Sequence, residues 1–362
     1  MVAATGTLST GEVVARDENE IRQKISIGEA ILLLNTMVKT GRAICLWGAP
    51  GIGKSQAVAA FAAMKNRKLV EILASQYDAV DARGIPILSN DVTGEPVTKF
   101  TRPEFMPTEG EGVIFLDELN RAPVDVQNAF MQLVLNRKLG NYVLPDGWII
   151  VAACNNISDG GGVNLMTAAM CNRFYHFEVE PTLDEWLVWA MDNDVHHMVL
   201  AFHDWRKTDG KESVFNKFDK TAKAFPTPRS WEALSDALKV SEEDELPINL
   251  IAHNIRASVG SAAGAEFLAF YRLFENLTMI NDVFLNPDVA AIPQRKDVLY
   301  ALCVAIANRT TTNNINNVVK YLERLTNEFN VMTVRMMTRK HPELKQAPIM
   351  TTWGIKYAAI LS

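Results

Sequence analysis

Gly48-Ala49-Pro50-Gly51-Ile52-Gly53-Lys54-Ser55 satisfies the pattern G-x-x-x-x-G-K-[ST] without a mismatch. Its flanks supply the context that the pattern needs. The apolar run Ala43-Ile44-Cys45-Leu46-Trp47 precedes it, and a helix-forming run over 55–65 follows. Strand, loop and helix in that order let backbone N–H groups close around phosphate oxygens, with the positive end of a helix behind them. Lys54 is then expected at the β- and γ-phosphates of a nucleotide, and Ser55 on its Mg²⁺. The alternative is a glycine-rich turn that matches the pattern by chance, and the flanks weigh against it.

A phosphate loop accounts for binding only. Hydrolysis is suggested by Val113-Ile114-Phe115-Leu116-Asp117-Glu118, four apolar residues ending in two acids. Such a run predicts a buried parallel strand whose carboxyl end meets the ligand. Asp117 is expected to hold Mg²⁺ through water, and Glu118 to orient and deprotonate the attacking water. A third run, Trp148-Ile149-Ile150-Val151-Ala152-Ala153-Cys154-Asn155-Asn156, ends in amides. A neutral side chain there can hold the hydrolytic water beside the γ-phosphate. Asn155 is favoured over Asn156, the alternative being that both only shape a turn. Arg173 precedes the apolar strand candidate 175–179, and Arg229 opens a helical run after Pro226-Thr227-Pro228. A planar guanidinium fork matches the oxygens on which phosphoryl transfer builds charge. For each arginine the bland alternative is a surface salt bridge.

These five elements, in this order, resemble the AAA+ ATPases. Leu116-Asp117-Glu118-Leu119-Asn120-Arg121-Ala122-Pro123, followed by Gln127, is similar to the MoxR branch and the related dynein/McrB-like group. The resemblance covers about 25–238. It implies a P-loop α/β core with a five-stranded parallel sheet of order 5-1-4-3-2, then an all-α lid and a helical extension. It places the Walker A roles on Lys54 and Ser55 within 48–55, and the Walker B roles on Asp117 and Glu118. Asn155 becomes sensor 1, Arg173 the arginine finger and Arg229 the sensor 2 arginine. ATP and Mg²⁺ are the implied ligands. A homo-oligomeric ring, hexameric in this family, is the implied assembly, and a von Willebrand factor A domain protein the implied client. The chain departs from the commoner MoxR pattern at Asn172, where an aspartate is usual, and at Cys154-Asn155-Asn156, where Gln-Asn-Pro is usual.

Composition bounds the remaining possibilities. The chain has 362 residues, 48% hydrophobic and 22% charged, which is ordinary for a globular protein of about two domains. A net charge of −6 does not support a general nucleic-acid footprint. Cys45, Cys154, Cys171 and Cys303 form no CxxC pair and read as reduced core thiols. The first 20 residues are polar and acidic, unlike a signal peptide, and no apolar run approaches bilayer-spanning length. A cytoplasmic protein without a membrane partner is the expectation.

Along the chain, 1–20 reads as a flexible tail. Strand candidates at 43–47, 69–73, 113–116, 148–153 and 175–179 alternate with helical segments, so 21–180 is expected to be an α/β nucleotide-binding domain. Glu180-Pro181-Thr182 breaks the pattern, and 181–362 turns helical. An insertion at 81–106 contains Asn90-Asp91-Val92-Thr93-Gly94-Glu95-Pro96, a tight turn between two short extended runs. It is similar to the pore-facing or partner-facing hairpin of the family, the alternative being an irregular loop.

Three further features look weaker. Asn216-Lys217-Phe218-Asp219 matches the guanine-reading pattern N-K-x-D but lacks the buried strand before it. His196, His197 and His203 have no ligand spacing of a zinc site. The segment 317–345 is helical in pattern, with Val318, Leu322, Leu325 and Phe329 on one face, and locally basic, most simply as a solvated face. The reading that results is a ring-forming ATPase that remodels a partner protein. A nucleic-acid motor or McrB-like NTPase shares the same core. A nucleotide-gated scaffold is a third reading, against which Glu118 argues.

Overall fold

The computed structural model describes residues 24–156, 164, 166–275 and 279–361; the expected tail at 1–20 lies outside them. The first half runs α1 (Ile27–Met37), β1 (Ala43–Trp47), α2 (Lys54–Met64), β2 (Lys68–Leu73), α3 (Ala79–Arg83), β3 (Pro86–Asn90), β4 (Pro96–Phe100), β5 (Gly112–Asp117), α4 (Val124–Asn136), β6 (Lys138–Leu139), β7 (Tyr142–Val143), β8 (Trp148–Cys154), α5 (Ala168–Cys171) and β9 (Phe174–Glu178). Five strands form one sheet in the order β2-β5-β8-β1-β9, every pairing parallel. Numbered among these five alone and read from the β9 edge, the order is 5-1-4-3-2.

The apolar runs become central strands because both of their faces are covered. Ile44, Leu46, Val113, Phe115, Val151 and Ala153 pack with Ala30, Leu34, Val58 and Phe61 of α1 and α2. Their alternates Cys45, Ile114, Leu116, Ile150, Ala152 and Cys154 pack with Val126, Ala129, Phe130 and Leu133 of α4. A strand sends successive side chains to opposite faces, so continuous hydrophobicity supplies both layers. The insertion folds as predicted around Asn90–Pro96: β3 and β4 pair antiparallel in an exposed hairpin.

Thr182 caps α6 (Leu183–Asp192), and a helical region follows. It contains α7 (His197–Thr208), α8 (Pro228–Glu243), α9 (Ile248–Val259), α10 (Ser261–Glu275), α11 (Ile280–Leu285), α12 (Lys296–Arg309), α13 (Ile315–Leu322), α14 (Asn327–Lys340) and α15 (Pro348–Leu361). These helices share one apolar cluster, separate from the two that sandwich the sheet. The segment 317–345 is not one helix. It divides between α13 and α14 because Thr326 adopts an extended backbone, φ −64° and ψ 153°. Its basic groups are largely engaged within the chain. Arg324 donates to the Pro287 and Ala290 carbonyls, Arg339 pairs with Asp192, and Lys340 donates to Asn308 Oδ1.

Cys45, Cys154 and Cys303 are buried thiols, Cys171 is half-buried, and none of the four is in a disulfide among the described residues. Burial pushes Cys45 well above the ordinary thiol range, aided by Cys154, whose Sγ lies 3.4 Å away on the neighbouring strand. Burial raises Cys303 to about 12. No helix among the described residues is long and apolar enough to cross a membrane.

Candidate nucleotide site

The carboxyl ends of β1, β5 and β8 open onto one cleft of about 110 Å³. Its walls include 50–56 of the glycine-rich loop and α2, together with Asp117, Glu118, Asn155 and Arg229. Gly48 leaves β1 at φ +153°, where a Cβ would lie 2.6 Å from the Val179 carbonyl oxygen. Gly51 has φ +79°, and a Cβ there would meet Thr227 Oγ1 at 3.0 Å. Glycine is therefore required at both positions, by conformation and by close approach.

Lys54 opens α2 and is 8% exposed. Its Nζ donates to Gly48 O at 2.6 Å, Ala49 O at 2.9 Å and Asn155 Oδ1 at 3.1 Å, which fixes the ammonium at the centre of the loop. Ser55 Oγ donates to Asp117 Oδ2 at 2.9 Å, joining the helix start to the end of β5. The donor set suits magnesium delivered with a nucleotide. Mg²⁺ takes one or two protein oxygens and fills the rest of its shell with phosphate and water. Among the described residues no group of three or more His, Cys, Asp and Glu side chains could hold a metal without such a ligand. The histidine cluster is no exception. His196 caps α7 and pairs with Glu242, while His203 lies edge-on to Trp231.

Glu118 follows the strand at φ +51°, a left-handed conformation that costs a residue with a Cβ roughly 1–3 kcal/mol. Its carboxylate is held by two donors. Ser75 Oγ donates to Oε2 and Arg121 Nη1 to Oε1, at 2.9 Å and 2.8 Å. Behind Asn155 stands a second device. Asn120, 1% exposed, donates from Nδ2 to Asn155 O at 2.7 Å and accepts Asn155 N–H at 3.1 Å. Gln127 and Asn164 both donate to Ala122 O, which holds the same turn from below. Asn120, Arg121 and Gln127 stood in the sequence only as part of a family-like segment. Nothing in the sequence pointed to Ser75.

Arg229 reaches the cleft because Thr227 and Pro228 start α8 against the phosphate loop, with Arg229 N–H donating to Gly51 O at 3.2 Å. Arg173 is exposed between α5 and β9 and is not among the residues lining the cleft. Asn156 does not line it either, so of the paired asparagines the structure brings Asn155 to the site. The N-K-x-D stretch lies in the loop before α8, outside the cleft, with Asp219 Oδ1 accepting from Thr221 and Lys217 paired with Glu212.

Residues 43–174 match the family described as the AAA domain, dynein-related subfamily. No curated protein matches the sequence. Among solved structures, a Cytophaga hutchinsonii protein provisionally described as an ATPase is 16% identical, covers 87% of this chain and 81% of its own, and has a TM-score of 0.34. The Thermotoga maritima RuvB Holliday junction branch migration motor is 14% identical, covers 70% of this chain and 76% of its own, and has a TM-score of 0.38. Likeness at that level carries no argument about activity. Over residues 43–174 this chain is similar to the dynein-related AAA domain, and the loop, Asp117, Glu118 and Asn155 of the cleft all lie within that stretch.

Proposed function

We propose that this chain binds MgATP in the cleft and hydrolyses it in a ring of identical protomers, using the cycle to remodel a partner protein in the manner of MoxR-like ATPases. The observation that carries the reading is the convergence of Lys54, Ser55, Asp117, Glu118, Asn155 and Arg229 on one cleft from separate elements. Residues 21–180 serve as the nucleotide-binding domain and 181–362 as lid and extension. The segregation of their apolar clusters supports that division.

The phosphates lie along the backbone N–H groups of 48–55. Lys54 exchanges its carbonyl partners for phosphate oxygens, and Ser55 and Asp117 face the magnesium of the substrate. Magnesium supplies neutralisation of phosphate charge when bound. Glu118 takes a proton from the attacking water, which Asn155 holds. Both carboxylate oxygens of Glu118 are engaged, by Ser75 and Arg121, so Glu118 must release one of them to reach the attacking water. Arg229 lies on the same protomer's cleft. Arg173 serves the neighbouring protomer's site in this reading, which its exposure outside the cleft supports.

The test is Mg²⁺-dependent phosphate release by purified protein, compared with Glu118→Gln. The reading requires the variant to retain bound ATP while turnover collapses; unchanged turnover removes Glu118 from catalysis. Hydrolysis stimulated by nucleic acid, with no response to protein partners, would favour a nucleic-acid motor. The engaged basic residues of α14 and the net charge of −6 weigh against that outcome.

A further inference from the structure

One hydrogen-bonded path runs along the β1–β9 pair through residues that do not line the cleft. Trp47 ends β1, one residue before Gly48, and its indole N–H donates to His176 Nδ1 at 2.8 Å. His176 Nε2 lies 2.7 Å from the Cys171 carbonyl oxygen. An indole nitrogen can only donate and a carbonyl oxygen can only accept. The two partners therefore select a single neutral tautomer, with Nδ1 bearing the lone pair and Nε2 the proton. Cys171 ends α5, and Arg173 follows with its N–H on Met170 O at 3.0 Å.

The geometry gives this path a direction. The β1–β9 ladder pairs Ala43 with Phe174 and Cys45 with His176, so Arg173 sits just beyond the ladder's amino end. The phosphate loop begins at the opposite, carboxyl end of β1. The sheet itself does not hold Arg173; the imidazole reaches past the end of the ladder to the turn that carries it.

We propose that His176 is a positioning residue that sets the presentation of Arg173 to the neighbouring protomer and ties it to the strand entering its own phosphate loop. The inference rests on the reading of Arg173 as acting across an interface. His176→Leu removes both bonds. It should lower kcat about 10- to 100-fold, the scale of a misplaced catalytic group, with MgATP affinity unchanged within about twofold. His176→Gln offers a carbonyl to Trp47 and an amide N–H to Cys171, and should recover most of the turnover. Trp47→Phe keeps the ring, removes the N–H and should reproduce part of the loss.

The deciding experiment mixes variants. In assemblies of His176→Leu with Lys54→Ala, an intact phosphate loop on the first chain meets a correctly held Arg173 on the second. Turnover above the sum of the two variants is the expected result. No rise in that mixture, while Arg173→Ala with Lys54→Ala does rise, overturns the role of His176. No rise in either mixture overturns the reading of Arg173 across the interface, and this inference with it. Should His176→Leu fail to fold, His176→Gln and Trp47→Phe decide: wild-type turnover in Trp47→Phe, or His176→Gln no better than an inactive chain, also overturns it.

Discussion

The α/β unit and the helical region differ in how completely they satisfy buried polar atoms. Around the cleft, Lys54, Asn120, Gln127 and Asn155 are buried polar residues, and each is hydrogen-bonded to backbone or to another of the four. In the helical region His203, Trp205, Arg206, Asn216 and Asn308 each bury a polar atom with no hydrogen-bond partner. No such atom occurs in 24–180 among the described residues. The helical core relies on bulk instead. Phe202 meets Trp231, Phe267 and Phe270 with ring centroids 5.7, 5.2 and 5.7 Å apart. The first region is specified by directional bonds that fix atoms for chemistry. The second is specified by apolar area, which tolerates an unmade bond because burial outweighs it.

Lesions should therefore separate by region, turnover on one side and stability on the other. The largest expected effect is Arg173→Ala, a fall of about 10³–10⁵ in kcat with ATP affinity and melting temperature preserved. Wild-type turnover in a correctly assembled variant would break that assignment. Glu118→Gln should follow, lowering turnover about 10²–10⁴-fold while the variant retains radiolabelled ATP through gel filtration. Phe202→Ala sharpens the contrast from the helical side. It should cost about 3–5 kcal/mol in denaturant unfolding, while nucleotide affinity of the folded fraction stays normal. A comparable loss of affinity at full stability would erase the distinction.

Asn120→Ala should lower kcat about 10–100-fold through a misplaced Asn155, for a stability cost of only about 1–3 kcal/mol. The smallest effect concerns acid. Burial, then the charge of Arg206, lowers His203 from 6.5 to about 3. Between those values the unfolded chain binds the proton and the native chain does not. Stability therefore falls as pH drops through 6.5, by under about 1 kcal/mol at pH 6, and continues to fall until about 3. His203→Phe should flatten that limb in urea titrations at pH 7, 6 and 5. An unaltered limb would show that other groups govern it.

The strands were legible because the central ones are hydrophobic on both faces, and 43–47 coincides with β1 residue for residue. The break near 181 was legible in proline and threonine, and Thr182 does cap α6. The division of 317–345 was not. Apolar spacing continues across Thr326, and only packing makes the turn there, with Arg324 held by the carbonyls of Pro287 and Ala290. At the site, Lys54, Ser55, Asp117 and Asn155 announced themselves by residue type after short apolar runs. Ser75, Asn120 and His176 did not, because each acts on a group 43, 35 and 5 residues away through contacts that local pattern does not encode.

Local chemistry alone determined the phosphate loop. Glycines that relieve backbone sterics, a lysine and a hydroxyl lie within 48–55, so their spacing is their geometry. Only the folded chain decided which residues hold that loop's partners in place. Hydrogen bonds act over about 3 Å, and the sheet order β2-β5-β8-β1-β9 brings together strands that the sequence keeps far apart.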